Sequence, residues 1–238
     1  MTKKRKILIF NRCYIPGYKA GGPIRSIANL VDRLADEFDF YIITRDRDSG
    51  DSGPYDTIAK EEWNQQGSAR VFYIPPNKIS LMAIIRLIRV VEPDVIYLNS
   101  FFDPWFTQKV LASRRLGLFG NIRVVLAPRG EFSRGALELK ATKKWWFLKI
   151  VQFVGLYRGV VWQASTVREA EEIREGFPSS YVNQMIIARN IAPVVLDKFN
   201  HTKQMQKDNC GKILRVCFLS RISPIKNLRY NQIWCLNS

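Results

Sequence analysis

The sequence predicts an α/β fold, with a parallel sheet covered by helices. Short β-rich runs alternate along the chain with amphipathic helical stretches, the order that strands joined by crossover helices require. Most of the runs are apolar at successive positions, so both faces of each strand are expected to be buried, as in a parallel sheet. The chain has 238 residues, 47% of them hydrophobic. That is material for one large core and part of a second domain.

The first strand is read at residues 6–10, its apolar run 7–10 following Lys3, Lys4, Arg5 and Lys6. Basic residues followed by apolar ones suggest a secretory leader, but this apolar run is too short and Asn11-Arg12 ends it. A helix opens at Pro23, and Ile24, Ile27, Val31, Leu34 and Phe38 recur at helical spacing as one core-facing stripe. Strands at 40–44 and 70–74 flank a polar, glycine-bearing connection, 45–68, long enough to be functional or mobile. A helix at 81–91 is closed by Pro93. A strand at 95–98, a helix starting near Pro104 and a strand at 123–127 follow. A long helix is expected over 133–157, then a strand at 160–163. Thr166-Val167-Arg168-Glu169 has the pattern of a capping box and opens another helix. The last strand of this series is 185–188. Residues 201–211 are polar and read as a linker between a domain of residues 1–200 and the start of a second at 212–238.

Several function classes are disfavoured. The four cysteines, Cys13, Cys210, Cys217 and Cys235, include no C-x-x-C pair, which argues against a zinc site or a disulfide framework and fits a reducing compartment. No run reaches the roughly 18 uncharged apolar residues of a membrane span. The longest candidate, 145–162, is interrupted by Lys149, Gln152 and Arg158. A soluble or peripheral cytoplasmic protein is expected. His201, the one histidine, sits in the linker, where nothing supports a hydrolytic triad. The net charge of +16 favours anionic partners: nucleic acid, acidic lipid or phosphorylated small molecules. The charges are spread along the chain and match no helix-turn-helix or RNA-binding signature, so nucleic acid is not the expected partner.

Four segments carry candidate chemistry. Gly21-Gly22-Pro23 follows the first strand and lets a ligand approach a helix N-terminus closely, though it lacks the G-x-G-x-x-G fingerprint. Pro128-Arg129-Gly130-Glu131 lies at the carboxyl end of a strand, where open α/β sheets bind ligands. Arg129 and Glu131 there are suited to hydroxyls or an anion, and equally to pairing with each other or capping the next helix. Lys140, Lys143, Lys144, Trp145, Trp146 and Lys149 interleave cations with aromatics. Such a helix suits an anionic membrane or nucleic acid, or else its tryptophans are core and its lysines flank them. Finally, an apolar strand at 213–219 runs into a turn holding Arg221 and Lys226 ahead of a helix start. Two cations beside helix N-terminal amides are suited to a diphosphate.

In this order these pieces resemble the retaining glycosyltransferases of family four, whose GT-B fold sets two Rossmann-like domains face to face. The resemblance runs from Pro16 and Gly21-Gly22-Pro23 through Glu92-Pro93-Asp94-Val95-Ile96, Pro128-Arg129-Gly130 and Lys143-Lys144. It continues through Ser165 with Glu169, Arg189-Asn190, and Arg221 with Lys226-Asn227-Leu228. It implies a Rossmann-like N-terminal half that binds the acceptor, with Gly21, Gly22, Arg129 and Glu131 on the cleft. It also implies a second half whose Arg221 and Lys226 hold the diphosphate of a nucleotide sugar. Relatives transfer sugar from a UDP- or GDP-sugar with retained anomeric configuration and no obligatory metal or other cofactor. Their acceptors are often saccharides or lipid-linked saccharides at the inner face of a bacterial membrane, as in capsule, lipopolysaccharide or exopolysaccharide assembly. Preorganised cations at the departing diphosphate lower the barrier, and losing either one is expected to cost about 2–4 kcal/mol of transition-state stabilisation.

The sequence departs from that pattern twice. Many relatives carry a histidine in the turn formed here by Pro128-Arg129-Gly130, and relatives continue for a further domain of roughly 100–200 residues. That domain bears a Glu-x7-Glu pair, and no such pair follows Lys226. The expectation is an acceptor domain joined to the first strand and turn of a donor domain, inactive on its own.

Overall fold

The computed structural model describes residues 3–138 and 141–193. Its strands are β1 (Arg5–Phe10), β2 (Phe38–Arg45), β3 (Trp63–Gln66), β4 (Ala69–Ile74), β5 (Val95–Asn99), β6 (Arg123–Ala127), β7 (Val161–Ala164) and β8 (Met185–Ile187). The helices are α1 (Gly22–Leu34), α2 (Leu81–Val91), α3 (Thr107–Arg115), α4 (Arg134–Glu138), α5 (Ala141–Val154) and α6 (Val167–Gly176). All strands join one sheet in the order β3-β4-β2-β1-β5-β6-β7-β8. Every pairing is parallel except β3 with β4.

The chain winds outward from β1 to β4, returns beneath the sheet, and winds outward again through β5 to β8. This is a doubly wound, Rossmann-like α/β fold. Its direction reverses between β1 and β5, where the loops leaving the two carboxyl ends diverge and open a crevice.

Both faces of the sheet are buried, as the apolar runs predict. On one face Leu8, Phe10, Ile96, Leu98, Val124, Leu126 and Trp162 pack with residues of α2, α3, α5 and α6. On the other, Ile9, Ile42, Val71 and Tyr73 meet Ile24, Ile27 and Val31 of α1. Phe101, at the centre of the first core, stacks on Tyr157 at 4.2 Å between ring centroids, with Trp162 and Phe177 beside it.

The seven strands expected between residues 6 and 188 are present, with ends within two residues of the expectation, and the strand expected at 213–219 lies outside the described residues. α2 has the expected bounds. Ser80 caps it by accepting from the Ala83 amide at 3.1 Å, and Glu92 turns left-handed (φ 50) ahead of Pro93. α3 starts three residues after Pro104 because Asp103 Oδ1 first accepts the Trp105 and Phe106 amides, at 2.8 and 2.7 Å.

Three expectations need correction. The stripe on α1 ends at Leu34, where the Glu37 amide bonds the Leu34 carbonyl at 3.0 Å, and Phe38 begins β2. The connection 45–68 contains β3, a short polar strand on the sheet edge, anchored where Trp63 meets Tyr41 and Phe72 edge-on. The long helix expected over 133–157, described as α4 and α5 with 139–140 outside the described residues, ends three residues early, at Val154. Gly155 (φ 69) terminates α5, with the Leu156 amide turning back to the Val151 carbonyl at 3.0 Å. Tyr157 lies beyond it, buried, donating its hydroxyl to the Phe101 carbonyl at 2.7 Å.

No helix among the described residues is long and apolar enough to cross a membrane. The expected linker, Arg221 and Lys226 lie outside the described residues.

Candidate functional site

The connection from β1 to α1 is held from below by one carboxylate. Asp48, on the loop after β2, is 2% exposed and accepts the amides of Tyr18 at 2.6 Å, Lys19 at 2.8 Å and Ser49 at 2.7 Å. Burial works against its charge, yet the amide donors prevail and hold the carboxyl below its ordinary range. This clamp fixes the approach to Gly21, which takes φ 71 and ψ −122 immediately before α1. No side chain caps α1, and Pro23 has no N–H. The first-turn amides of Gly22 and Ile24 therefore have no intrahelical acceptor, leaving the positive end of the helix open to an anion or hydroxyl.

Across the crevice, β6 ends in the turn of Arg129 and Gly130. Arg129 is left-handed (φ 58), unusual for a residue with a side chain. Its guanidinium is fully directed: Nε donates to Asn99 Oδ1 at 3.1 Å, Nη2 to the Tyr97 hydroxyl at 2.8 Å, and Nη1 to Asn190 Oδ1. Arg129 thereby ties the ends of β5 and β6 to the segment after β8.

The β7–α6 turn is bound to the same place by Glu169. Thr166 caps α6, its hydroxyl accepting the Glu169 amide at 3.1 Å, as the capping-box pattern predicts. The Glu169 carboxylate, however, does not close that box. It accepts the Gly130 amide at 2.6 Å, the Ser165 amide at 2.7 Å and the Ser165 hydroxyl. A buried carboxylate thus joins two loops at neighbouring carboxyl ends of the sheet.

These segments enclose an open cavity of about 470 Å³. Gly22, Pro23 and Ser26 of α1 form one wall, and Arg129, Gly130 and Ser133 form another. Ser165, Thr166, Arg168, Glu169, Glu172 and Asn190 complete it. Arg168 pairs with Glu172 at 3.2 Å, so the lining is hydroxyl, carboxamide and largely compensated charge, with no aromatic side chain. Such a lining offers many hydrogen bonds in several directions, which suits a polyhydroxylated ligand more than a flat apolar one.

Among the residues expected on the cleft, Gly22 and Arg129 line this cavity and Gly21 adjoins it. Glu131 does not. Its carboxylate turns under the β5–α3 loop, accepting the Ser100 hydroxyl at 2.6 Å, the Phe102 amide at 3.2 Å and the Phe101 amide. Burial pushes its pKa up, against these hydrogen bonds. The physical reason is local. Ser100 is left-handed (φ 86), which exposes consecutive amides that need an acceptor, and Glu131 is within reach. The capping-box pattern accounts for the helix start at Glu169 but carries no sign of its reach to Gly130. Thr166 is legible as a helix cap but not as a cavity residue, and Ser26 carries no signal beyond being polar.

The basic-aromatic segment lies on α5, apart from the cavity. Trp145 and Trp146 are 52% and 59% exposed, and Ile150, Phe153 and Val154 of the same helix are exposed too. The tryptophans are not core. Lys149 sits 5.7 Å from the Trp145 ring centroid and Lys143 is exposed. Lys144 turns inward, over the Phe102 ring at 4.9 Å and onto the Ala136 carbonyl. Lys140 lies outside the described residues. Among the described residues no cluster of three or more His, Cys, Asp or Glu side chains is arranged to hold a metal ion.

No protein-family model matches the chain. No curated protein matches it either. Among solved structures it is similar to UDP-GlcNAc 2-epimerase from Methanocaldococcus jannaschii, with 15% identity and a TM-score of 0.41 over 78% of this chain and 45% of that one. The chain spans less than half the length of that protein.

Proposed function

We propose that the cavity is the acceptor side of a retaining glycosyltransferase that moves a sugar from a nucleotide-sugar donor to a saccharide or lipid-linked acceptor in bacterial surface polysaccharide synthesis. The observation that carries this reading is the cavity's position and lining. An uncapped helix start, the positioned guanidinium of Arg129 and the hydroxyls of Ser26, Ser133, Ser165 and Thr166 converge at the carboxyl ends of a doubly wound parallel sheet. The order of motifs shared with family four supports it. In this scheme the Gly22 and Ile24 amides and Arg129 orient acceptor oxygens, and Glu169 keeps two loops in register. Arg221 and Lys226 hold the donor diphosphate.

The exposed side of α5 supports a second component, attachment to an anionic membrane. Tryptophan and phenylalanine beside lysines match the boundary between headgroups and acyl chains, where apolar area and cationic charge act together.

The test titrates the chain with a panel of saccharides, sugar phosphates, and UDP- and GDP-sugars, followed by saturation-transfer NMR. At least one saccharide is expected to bind saturably. Arg129→Ala is expected to weaken it about 10- to 100-fold, the worth of a charged hydrogen bond. Ser26→Trp, which fills the cavity from an accessible position on α1, should abolish it. Binding that survives Ser26→Trp, or a panel that neither binds nor undergoes transfer, overturns the reading. Liposome co-sedimentation with Lys143→Gln and Lys149→Gln tests the membrane component: retained binding to anionic vesicles rejects it.

A further inference from the structure

At the opposite end of the sheet lies a second polar cavity, of about 580 Å³, lined by Arg5, Asp94, Val95, Arg114, Asn121, Arg123, Gly159, Val161 and Gln184. Three of these side chains are guanidiniums and one is a carboxylate. Arg5 and Arg123 enter from the amino-terminal ends of β1 and β6. The register Ile7↔Val95↔Arg123 puts both on one face of the sheet, with β5 between them. Arg5 lies two residues before the row of Arg123, so two strand spacings and this offset separate their backbones by about 12 Å, within reach of two long side chains that grip a small anion from both sides.

Arg114 reaches the same space from the last turn of α3, and it is fixed there. Its Nη1 donates to the Arg158 carbonyl at 3.0 Å and its Nη2 to the Gly159 carbonyl at 2.9 Å. Burial, and then the charge of Arg115, pushes its pKa down, so an anion would relieve its environment. The single carboxylate does little to compensate. Asp94 Oδ2 already accepts the Lys6 amide at 2.7 Å, and neither Arg5 nor Arg123 has an ion-pair partner among the described residues. Three like charges around a concave polar surface repel one another unless an anion sits between them, and guanidinium forks match phosphoryl oxygens.

We propose that this notch is a phosphoryl-binding site, separate from the cavity at the carboxyl ends, that takes a phosphate or diphosphate group between Arg5, Arg114 and Arg123. The group belongs either to a free phosphorylated molecule or to a lipid headgroup.

The experiment titrates the whole chain with inorganic pyrophosphate at constant ionic strength and follows the arginine Nε–Hε NMR signals. Saturable shifts of the Arg114 and Arg123 signals are expected, with an unchanged midpoint in Arg129→Ala, which reports on the other cavity. The Arg5→Gln/Arg123→Gln double variant should raise the Arg114 midpoint at least tenfold. Both replaced residues are exposed, so the variant should stay folded, and Arg114, which carries backbone contacts, is left in place. Failure of the wild-type signals to move overturns the proposal. So does an equal response to chloride, or a double variant with the wild-type midpoint. Sedimentation with phosphatidylglycerol against phosphatidylcholine vesicles then separates the sources: a loss confined to the double variant assigns the headgroup, and no loss assigns the free molecule.

Discussion

At Gly21 the backbone holds φ 71 and ψ −122, a combination that a Cβ strongly disfavours. An added Cβ would meet nothing within 4 Å, so the effect of a substitution there is conformational and not a clash. Gly21→Ala should destabilise the fold by about 1–3 kcal/mol in urea unfolding, the range for a residue forced into a sparsely populated region. Gly22, equally open and without a positive φ, is the control: Gly22→Ala should stay within about 0.5 kcal/mol. Glu131 gives a prediction of a different kind. Its pKa is raised, with burial the first cause, so the folded chain binds this proton more tightly than the unfolded one. The contribution is largest below the ordinary value of 4.5 and declines as pH rises through the window above it. Between about pH 4 and pH 7, wild type should therefore lose more unfolding free energy than Glu131→Gln, whose amide does not titrate. Asp48 acts with the opposite sign, since its carboxyl is depressed, but it is present in both proteins and cancels in the difference. A parallel pair of pH profiles would reject the assignment.

Among the elements, α5 shows a helix pinned on one side only. Val151 is its buried residue, whereas Phe153 is 94% exposed. Val151→Ala should lower stability by roughly 1–3 kcal/mol, as expected for deleting buried methyl groups. Phe153→Ser should leave the unfolding midpoint within about 0.5 kcal/mol of wild type, while reducing vesicle association if that side meets lipid. A midpoint shift as large as that of Val151→Ala would mean that Phe153 is packed. Composition alone did not decide between core and surface for these aromatics, because helical spacing is satisfied by either side of α5. The buried strands were legible because a parallel sheet needs apolar residues on both faces, and β6 was expected at its observed bounds. β3 was not, since Trp63-Asn64-Gln65-Gln66 is polar and gains its strand geometry by pairing with β4. The candidate site was partly legible for the same kind of reason. Glycines before a helix and an arginine after a strand mark two walls of the cavity. Which carboxylate reaches which amide depends on loop dihedrals, and so Glu131 serves the β5–α3 loop while Glu169, expected only at its helix start, reaches the Gly130 amide.

For the molecule as a whole, the charge of +16 is the dominant long-range term. Only four ion pairs occur among the described residues, and three of them involve a cationic side chain that is substantially exposed. Among the described residues, most cationic side chains thus lack a carboxylate partner. Two consequences follow with opposite signs. Self-repulsion opposes the compact state, and added salt screens it, the Debye length shrinking from about 30 Å at 0.01 M to about 10 Å at 0.1 M. Raising salt over that range should increase Tm, by about 2–4 °C for each kcal/mol of repulsion relieved in a chain of this size. The same screening weakens attraction to anionic surfaces, so vesicle association and pyrophosphate binding should both fall over that range. Measuring Tm and vesicle binding on one salt series separates these effects from a general loss of structure, which would lower both together. A Tm that falls with salt would show that attractive pairs outweigh the repulsion, contrary to the excess of 37 Lys and Arg over 21 Asp and Glu.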